Sequence, residues 1–184
     1  MKKILAVTAG VVLTIVLSGV IFLAYLGMFS TLEPVERVMG PYTFVYEEFA
    51  GPYRDTGPVF DKVNAALEKE GIQPPRGLGI YYDDPAKVPA DKLRSKCGSI
   101  IEGENLKKFE KVKEKFKVIV IEKSRGVVVE FPIKNALSYM IGPMKCYPFM
   151  AKYIQEKGYK LKGNAYELYD IPGAKTLYVF PLAD

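Results

Sequence analysis

Two stretches about ninety residues apart share one local frame, and internal repetition restricts a chain to architectures in which one supersecondary unit occurs twice. Ile80, Tyr81, Tyr82, Asp83 and Pro85 stand in the same order and spacing as Glu167, Leu168, Tyr169, Asp170 and Pro172. A strand shows alternate residues on opposite faces, so Tyr166 and Leu168 share one face while Glu167 and Tyr169 share the other. One face reads as core; the other offers a carboxylate beside a phenol. In this frame Ile80 occupies the place of Glu167, so the acid is unmatched in the first copy, and that asymmetry makes Glu167 the first candidate functional residue.

The rest of the chain fills in the unit. Residues 42–49 alternate as a strand that Gly51 and Pro52 end. A helix follows, with Thr56 as N-cap, Pro58 in the first turn, Gly71 as the stop, and Phe60, Val63 and Leu67 on its apolar face. A strand over 78–82, a turn-rich stretch over 83–90 and a strand through 97–101 complete the first module. Residues 105–115 carry a lysine-rich run with Leu106, Phe109, Val112 and Phe116 at helical spacing, which reads as a helix with a solvated charged face. Strands are expected over 116–121 and 127–131, joined by a turn at 124–126, and over 135–141. Gly142 and Pro143 then precede a helix over 147–157 that buries Phe149, Met150, Tyr153 and Ile154 and stops at Gly158. The strand of Glu167 follows, and 176–181 closes the fold. Each half is thus β-α-β-β, and the fold class is α+β: tandem modules joined about a pseudo-twofold axis, with helices on one face of the strands and a cleft on the other.

Residues 4–29 contain no charged side chain, a run long enough to span about 30 Å of hydrocarbon as a helix. A cleavable signal has a shorter apolar region of roughly 7–15 residues and a small-residue cleavage site, so an uncleaved anchor is the better reading. Lys2 and Lys3 precede the run, while Glu33, Glu36 and Arg37 follow it. The positive-inside rule then places the amino end in the cytoplasm and the domain outside. The expected organisation is an anchor over 1–29, a linker over 30–40 and one domain over 41–184.

Composition removes several function classes. The formal net charge is +5 with Lys2 and Lys3 included, and no basic stripe interleaved with aromatics suggests nucleic acid. There is no His, which removes imidazole catalysis and His-bearing metal sites. The two cysteines, Cys97 and Cys146, have no metal-ligand spacing and read as small hydrophobes, with pairing open only in an oxidising compartment. Neither a metal nor a cofactor is expected.

Gly51-Pro52-Tyr53, the run Ile80 to Pro85 with Val88-Pro89 and Leu93-Arg94, and Tyr166-Glu167-Leu168-Tyr169 together resemble the GyrI-like small-molecule-binding domain, the effector-binding fold of multidrug-responsive regulators. Asp55-Thr56-Gly57, the stretch from Tyr81 to Lys92, Gly98-Ser99-Ile100-Ile101 and the run from Tyr153 to Tyr169 are similar to the membrane-anchored testis-expressed reticulophagy receptor family, which joins a membrane helix to one such domain. The resemblance implies a pocket at the module junction where an acidic residue, here Glu167, holds lipophilic cations. Some members of the fold resemble hydrolases of cyclopropane-bearing alkylators that use a glutamate and aromatics. This chain departs in having no Trp, so its aromatic wall must be Tyr or Phe. The receptor family's adaptor-binding tail is not expected after Asp184, nor is a DNA-binding region.

The candidate ligand-binding residues are therefore Glu167, Tyr169, Tyr82, Tyr53 and Ile80, for a small amphipathic or cationic molecule. No residue is assigned to catalysis unless the protein is a hydrolase, in which case it is Glu167. The competing reading of Glu167 is a surface or lysine-paired glutamate, and that of Tyr82 and Tyr169 is ordinary packing. Asp83 and Asp84, before a proline, read as turn-makers. A protein partner is the third reading, which a large exposed apolar patch favours.

Overall fold

A computed structural model describes residues 2–74 and 76–183. A long helix, α1 (Lys2–Tyr25), leads into β1 (Val35–Met39), β2 (Tyr42–Ala50), α2 (Gly57–Lys69), β3 (Arg76–Tyr81) and β4 (Arg94–Ile101). After a single-turn helix α3 (Asn105–Phe109) come β5 (Val118–Ile121), β6 (Ser124–Pro132), α4 (Ser138–Lys157), β7 (Tyr166–Asp170) and β8 (Lys175–Pro181). The eight strands make one antiparallel sheet in the order β1-β6-β8-β7-β3-β4-β2-β5. The two β-α-β-β modules are β2-α2-β3-β4 and β6-α4-β7-β8. They meet at the β3–β7 pair, and the strand order reads the same outward from it in both directions.

The connections dictate that this sheet curls. Only Gly40 and Pro41 separate β1 from β2, and only Glu122 and Lys123 separate β5 from β6, yet these partners stand near opposite ends of the strand order. Such short links force the two ends together into a half-barrel. Its inner face packs on itself: Met39, Phe44, Leu78, Ile100, Val128, Tyr166, Leu168, Leu177 and Val179 form one buried cluster from seven strands. Each such side chain contributes roughly 1.5–3 kcal/mol of burial. Among the described residues that face is filled by this packed cluster, where a cleft was expected on the face away from the helices.

Both helices cover the outer face. α2 seals Val63 and Leu67 against Val45, Ile101 and Phe109. α4 seals Ile141, Cys146, Met150 and Ile154 against Val127, Val129, Phe131, Tyr178 and Phe180. Leu26 and Leu32, just after α1, are buried in this second cluster.

Several local expectations are corrected. Residues 135–141 are not a strand; α4 begins at Ser138 and carries Gly142, Pro143 and Pro148 within it. Gly142 is where the helix backbone lies against the Tyr178 hydroxyl and the Phe131 ring, a closeness that a Cβ would forbid. That contact outweighs the helix-breaking tendency of the Gly-Pro pair. The lysine-rich 105–115 segment shortens to α3 and a 3-10 turn at Lys113–Lys115. The turn expected at 124–126 is at Glu122 and Lys123, and the 30–40 connector contains β1, paired to β6.

Candidate functional site

The β3–β7 junction on the outer face, between the two helices, is where the unusual chemistry lies. Strand register sets two rows across it. Tyr178, Glu167, Gly79 and Cys97 are successive neighbours in one; Thr176, Tyr169, Gly77 and Ser99 are in the next. With glycines at 77 and 79 the floor carries no side chains at its centre. A Cβ on Gly79 would stand 2.9 Å from the Tyr81 ring, and one on Gly77 would touch Tyr169 at 3.4 Å. The bare floor lets Tyr81 and Tyr169 lie across the sheet toward the acid.

Glu167 is 3% exposed. Its carboxylate accepts from the Tyr147 hydroxyl of α4 at 3.0 Å and from the Tyr169 hydroxyl at 2.9 Å. The hydroxyls of Tyr169 and Tyr81 are 2.8 Å apart, which extends the chain to a third phenol. Among the described residues no lysine or arginine pairs with the acid. Burial pushes its pKa up to about 7, and the two phenolic hydrogen bonds only partly oppose that. Tyr147 and Tyr169 are raised in turn, first by burial and then by the nearby carboxylate, so they stay neutral donors.

Aromatic rings close the site. Phe60 of α2 and Tyr139 of α4 meet Tyr169 edge to face at 5.4 and 5.6 Å between centroids, and Tyr147 meets Tyr178 at 5.7 Å. Tyr139 is 43% exposed and forms the solvent side of the cluster. Cys97, on the floor, is fully buried and unpaired, as is Cys146; burial raises their thiols to about 11 and about 12. Both are small packed groups with little thiolate.

Glu167 and Tyr169 come together as the strand parity required. Tyr53 does not line an opening; it braces Tyr81 from behind, with ring centroids 4.8 Å apart and its hydroxyl held by the backbone of Asp83 and Arg94. Asp83 pairs with Arg94 at 2.7 Å and Asp84 accepts from the Ala86 amide, so both are turn-makers. Ile80 and Tyr82 are corrections. Ile80 pairs with Tyr166 and packs on the inner face, and Tyr82 lies past the end of β3 on the opposite parity from Tyr81. The repeated frame set Ile80 against Glu167 and Tyr82 against Tyr169, but a one-residue slip in a strand exchanges its faces. Matching Gly79 to Glu167 and Tyr81 to Tyr169 restores agreement. The alternating glycines of Arg76-Gly77-Leu78-Gly79 were the signal for that register. Tyr147, Tyr139 and Phe60 come from helices, and nothing local marks them as neighbours of β7.

A pseudo-symmetric half-barrel with one helix per module on its outer face is the fold of bacterial effector-binding domains. The crystal structure of the EcmrR C-terminal domain matches with a TM-score of 0.52 at 15% identity, over 83% of this chain and 98% of that one. EcmrR in a cryo-EM complex with DNA matches at 0.57 and 15% identity, over 89% of this chain and 62% of that one. In sequence the chain is similar to human testis-expressed protein 264, at 30% identity over 167 residues, 84% of this chain and 50% of that protein. It is also similar to the mouse homolog, at 32% over 122 residues, 62% of this chain and 38% of that protein. The chain spans about half the length of the human relative, or less in the mouse homolog. No protein-family profile matches it.

Proposed function

We propose that this protein is a membrane-tethered binding domain that takes a small cationic or amphipathic molecule between α2 and α4, over Glu167. One observation carries the reading: a carboxylate buried to 3% exposure has phenols for partners and, among the described residues, no cation. A buried acid without a counter-charge is costly, and a ligand cation relieves that cost while its apolar part meets tyrosine faces. The cluster is closed, so a ligand enters by swinging Tyr139 and Tyr147 off the floor. α1 supports the tether, since its Val7–Tyr25 portion has a mean hydropathy of 2.5 and is long enough to cross a bilayer.

The test is a thermal-shift series with lipophilic mono-cations, alkyl ammonium and aryl phosphonium salts, on the protein in detergent. Wild type is expected to gain several degrees and Glu167→Gln to gain none; equal gains remove Glu167 from the mechanism. A hydrolase is the second reading, favoured by a carboxylate poised near neutrality in contact with a phenol. Turnover of an electrophilic substrate that is lost in Glu167→Gln would select it.

The proposed sidedness, with the domain outside, follows from Lys2 and Lys3 at the amino end of α1, ahead of its apolar run. Because Cys97 and Cys146 are buried, an impermeant maleimide should be directed at Lys107→Cys on the exposed surface. Labelling in intact cells supports the orientation, and labelling only after lysis reverses it.

A further inference from the structure

The domain is not hung from α1 on a loose tether. The chain turns at Gly27, where the Lys145 ammonium of α4 is held by the carbonyls of Gly27, at 2.8 Å, and Ser30, and by the Ser30 hydroxyl at 3.0 Å. Leu26 is wholly buried in the α4 core cluster, and Gly27 lies close on Phe131 and Pro132. Lys134, just before α4, reaches back to within 5.9 Å of the Tyr25 ring at the last residue of α1. The end of the helix and the start of α4 are therefore one rigid corner.

Large apolar side chains stay exposed around that corner. Leu137, which caps α4, and Met140 and Met144 on it stand at i, i+3 and i+7 and form one stripe. Met140 is 56% and Met144 63% exposed, with Lys145 directly after. Phe29 at the turn and Ile171, 57% exposed, add to them. Ile171 belongs to this end because its β7–β8 turn is bonded to the start of the α4 approach, Ile133 N–H donating to the Ala174 carbonyl at 2.8 Å. Apolar side chains interleaved with Lys134, beside a helix long enough to cross a bilayer, have the composition of an interfacial surface.

We infer that this face seats on the headgroup–acyl boundary of the same bilayer that α1 crosses, so that α4 is a second, peripheral membrane contact. The occupant is lipid rather than a protein because the face is continuous with the membrane exit of α1, and the fixed corner at Gly27–Ser30 keeps it within reach. Lys134 would meet anionic headgroups, whose negative surface potential attracts a basic side chain. The seat has a consequence for the site. Tyr139, the outer ring of the Glu167 cluster, lies in the first turn of α4, between the capping Leu137 and Met140 in sequence. An amphiphile dissolved in the bilayer would thus reach the site without crossing bulk water.

This inference rests on the proposed span, and the experiment separates the two. Full-length protein, one copy per nanodisc of mixed zwitterionic and anionic lipid, carries an environment-sensitive fluorophore on a single introduced cysteine; the native thiols are buried. The positions are Met140→Cys, Met144→Cys and Ile171→Cys on the proposed seat, Val16→Cys inside α1, and Lys107→Cys on the far surface. Three exposed positions on two elements guard against one variant failing to fold. The seat predicts blue-shifted emission and at least twofold quenching by headgroup-level nitroxide lipid at 140, 144 and 171, and neither at 107; the span predicts quenching at 16 by lipid carrying the nitroxide in mid-acyl chain. Quenching at 16 without quenching on the seat overturns the seat and leaves the span. No lipid quenching at 16 overturns the span, and the seat with it. Shielding at 140 and 144 from aqueous quencher without lipid quenching means a protein covers the face, and that also overturns the inference.

Discussion

Glu167 is the residue whose placement decides most about this protein. Its pKa of about 7 in the fold lies above the roughly 4.3 of an unfolded glutamate. Between those two values the folded state binds more protons than the unfolded one, so stability falls as pH rises through this window and is flat above it. The full shift corresponds to about 4 kcal/mol, most of it lost between pH 5 and pH 8. Glu167→Gln should lose that dependence: denaturant unfolding of the variant relative to wild type is expected to gain on the order of 3 kcal/mol between pH 5 and pH 8. A constant difference across that range would mean the carboxylate is solvated. Tyr147→Phe removes one of the two hydrogen bonds that favour the ionised acid. It should move the Glu167 midpoint further up, as followed by carboxyl carbon NMR; a downward movement would show that desolvation does not dominate. Glu167 and Tyr169 were legible in the sequence because alternation along a strand is a local rule. Tyr147 was not, since it reaches the acid from a helix twenty residues earlier in the chain.

At the level of elements, the glycines of β3 and β4 set how closely things approach. Gly98 pairs with Tyr46, and a Cβ there would run into the Val45 carbonyl. Gly98→Ala should therefore destabilise the protein by about 1–3 kcal/mol through overpacking at the β2–β4 pair, read as a lowered urea midpoint with an unchanged slope. An alanine tolerated without cost would mean the strands separate more easily than this packing allows. Most strands and α2 follow from alternation, caps and breakers. α4 does not, because Gly142 and Pro143 are read locally as an end while the Tyr178 and Phe131 surfaces reward a continuous helix with Gly at the contact.

Across the whole molecule, the half-barrel and α1 are coupled through Lys145. Its ammonium donates to the carbonyls of Gly27 and Ser30 just past the end of the long helix, adding to the Ser30 N–H that the Gly27 carbonyl already accepts. Lys145→Ala should weaken the corner by about 1 kcal/mol, seen as roughly fivefold faster amide exchange over residues 26–30 with the β3–β7 amides unchanged. Uniformly faster exchange would instead indicate global destabilisation, and no change would mean that the corner is held by Leu26 and Phe131 packing alone.

Local rules written in the chain determined the two β-α-β-β modules, the apolar run at the amino end, the absence of imidazole, and the pairing of Glu167 with Tyr169 on one strand face. Tertiary structure alone decided which face that was. The links at Gly40-Pro41 and Glu122-Lys123 bring the ends of the strand order together, so the inner face fills itself with side chains and both helices are left to the outside. The carboxylate therefore lies beneath the helices rather than opposite them. There it is surrounded by phenols from strands and helices distant in sequence, and loss of water rather than any charged neighbour raises its pKa.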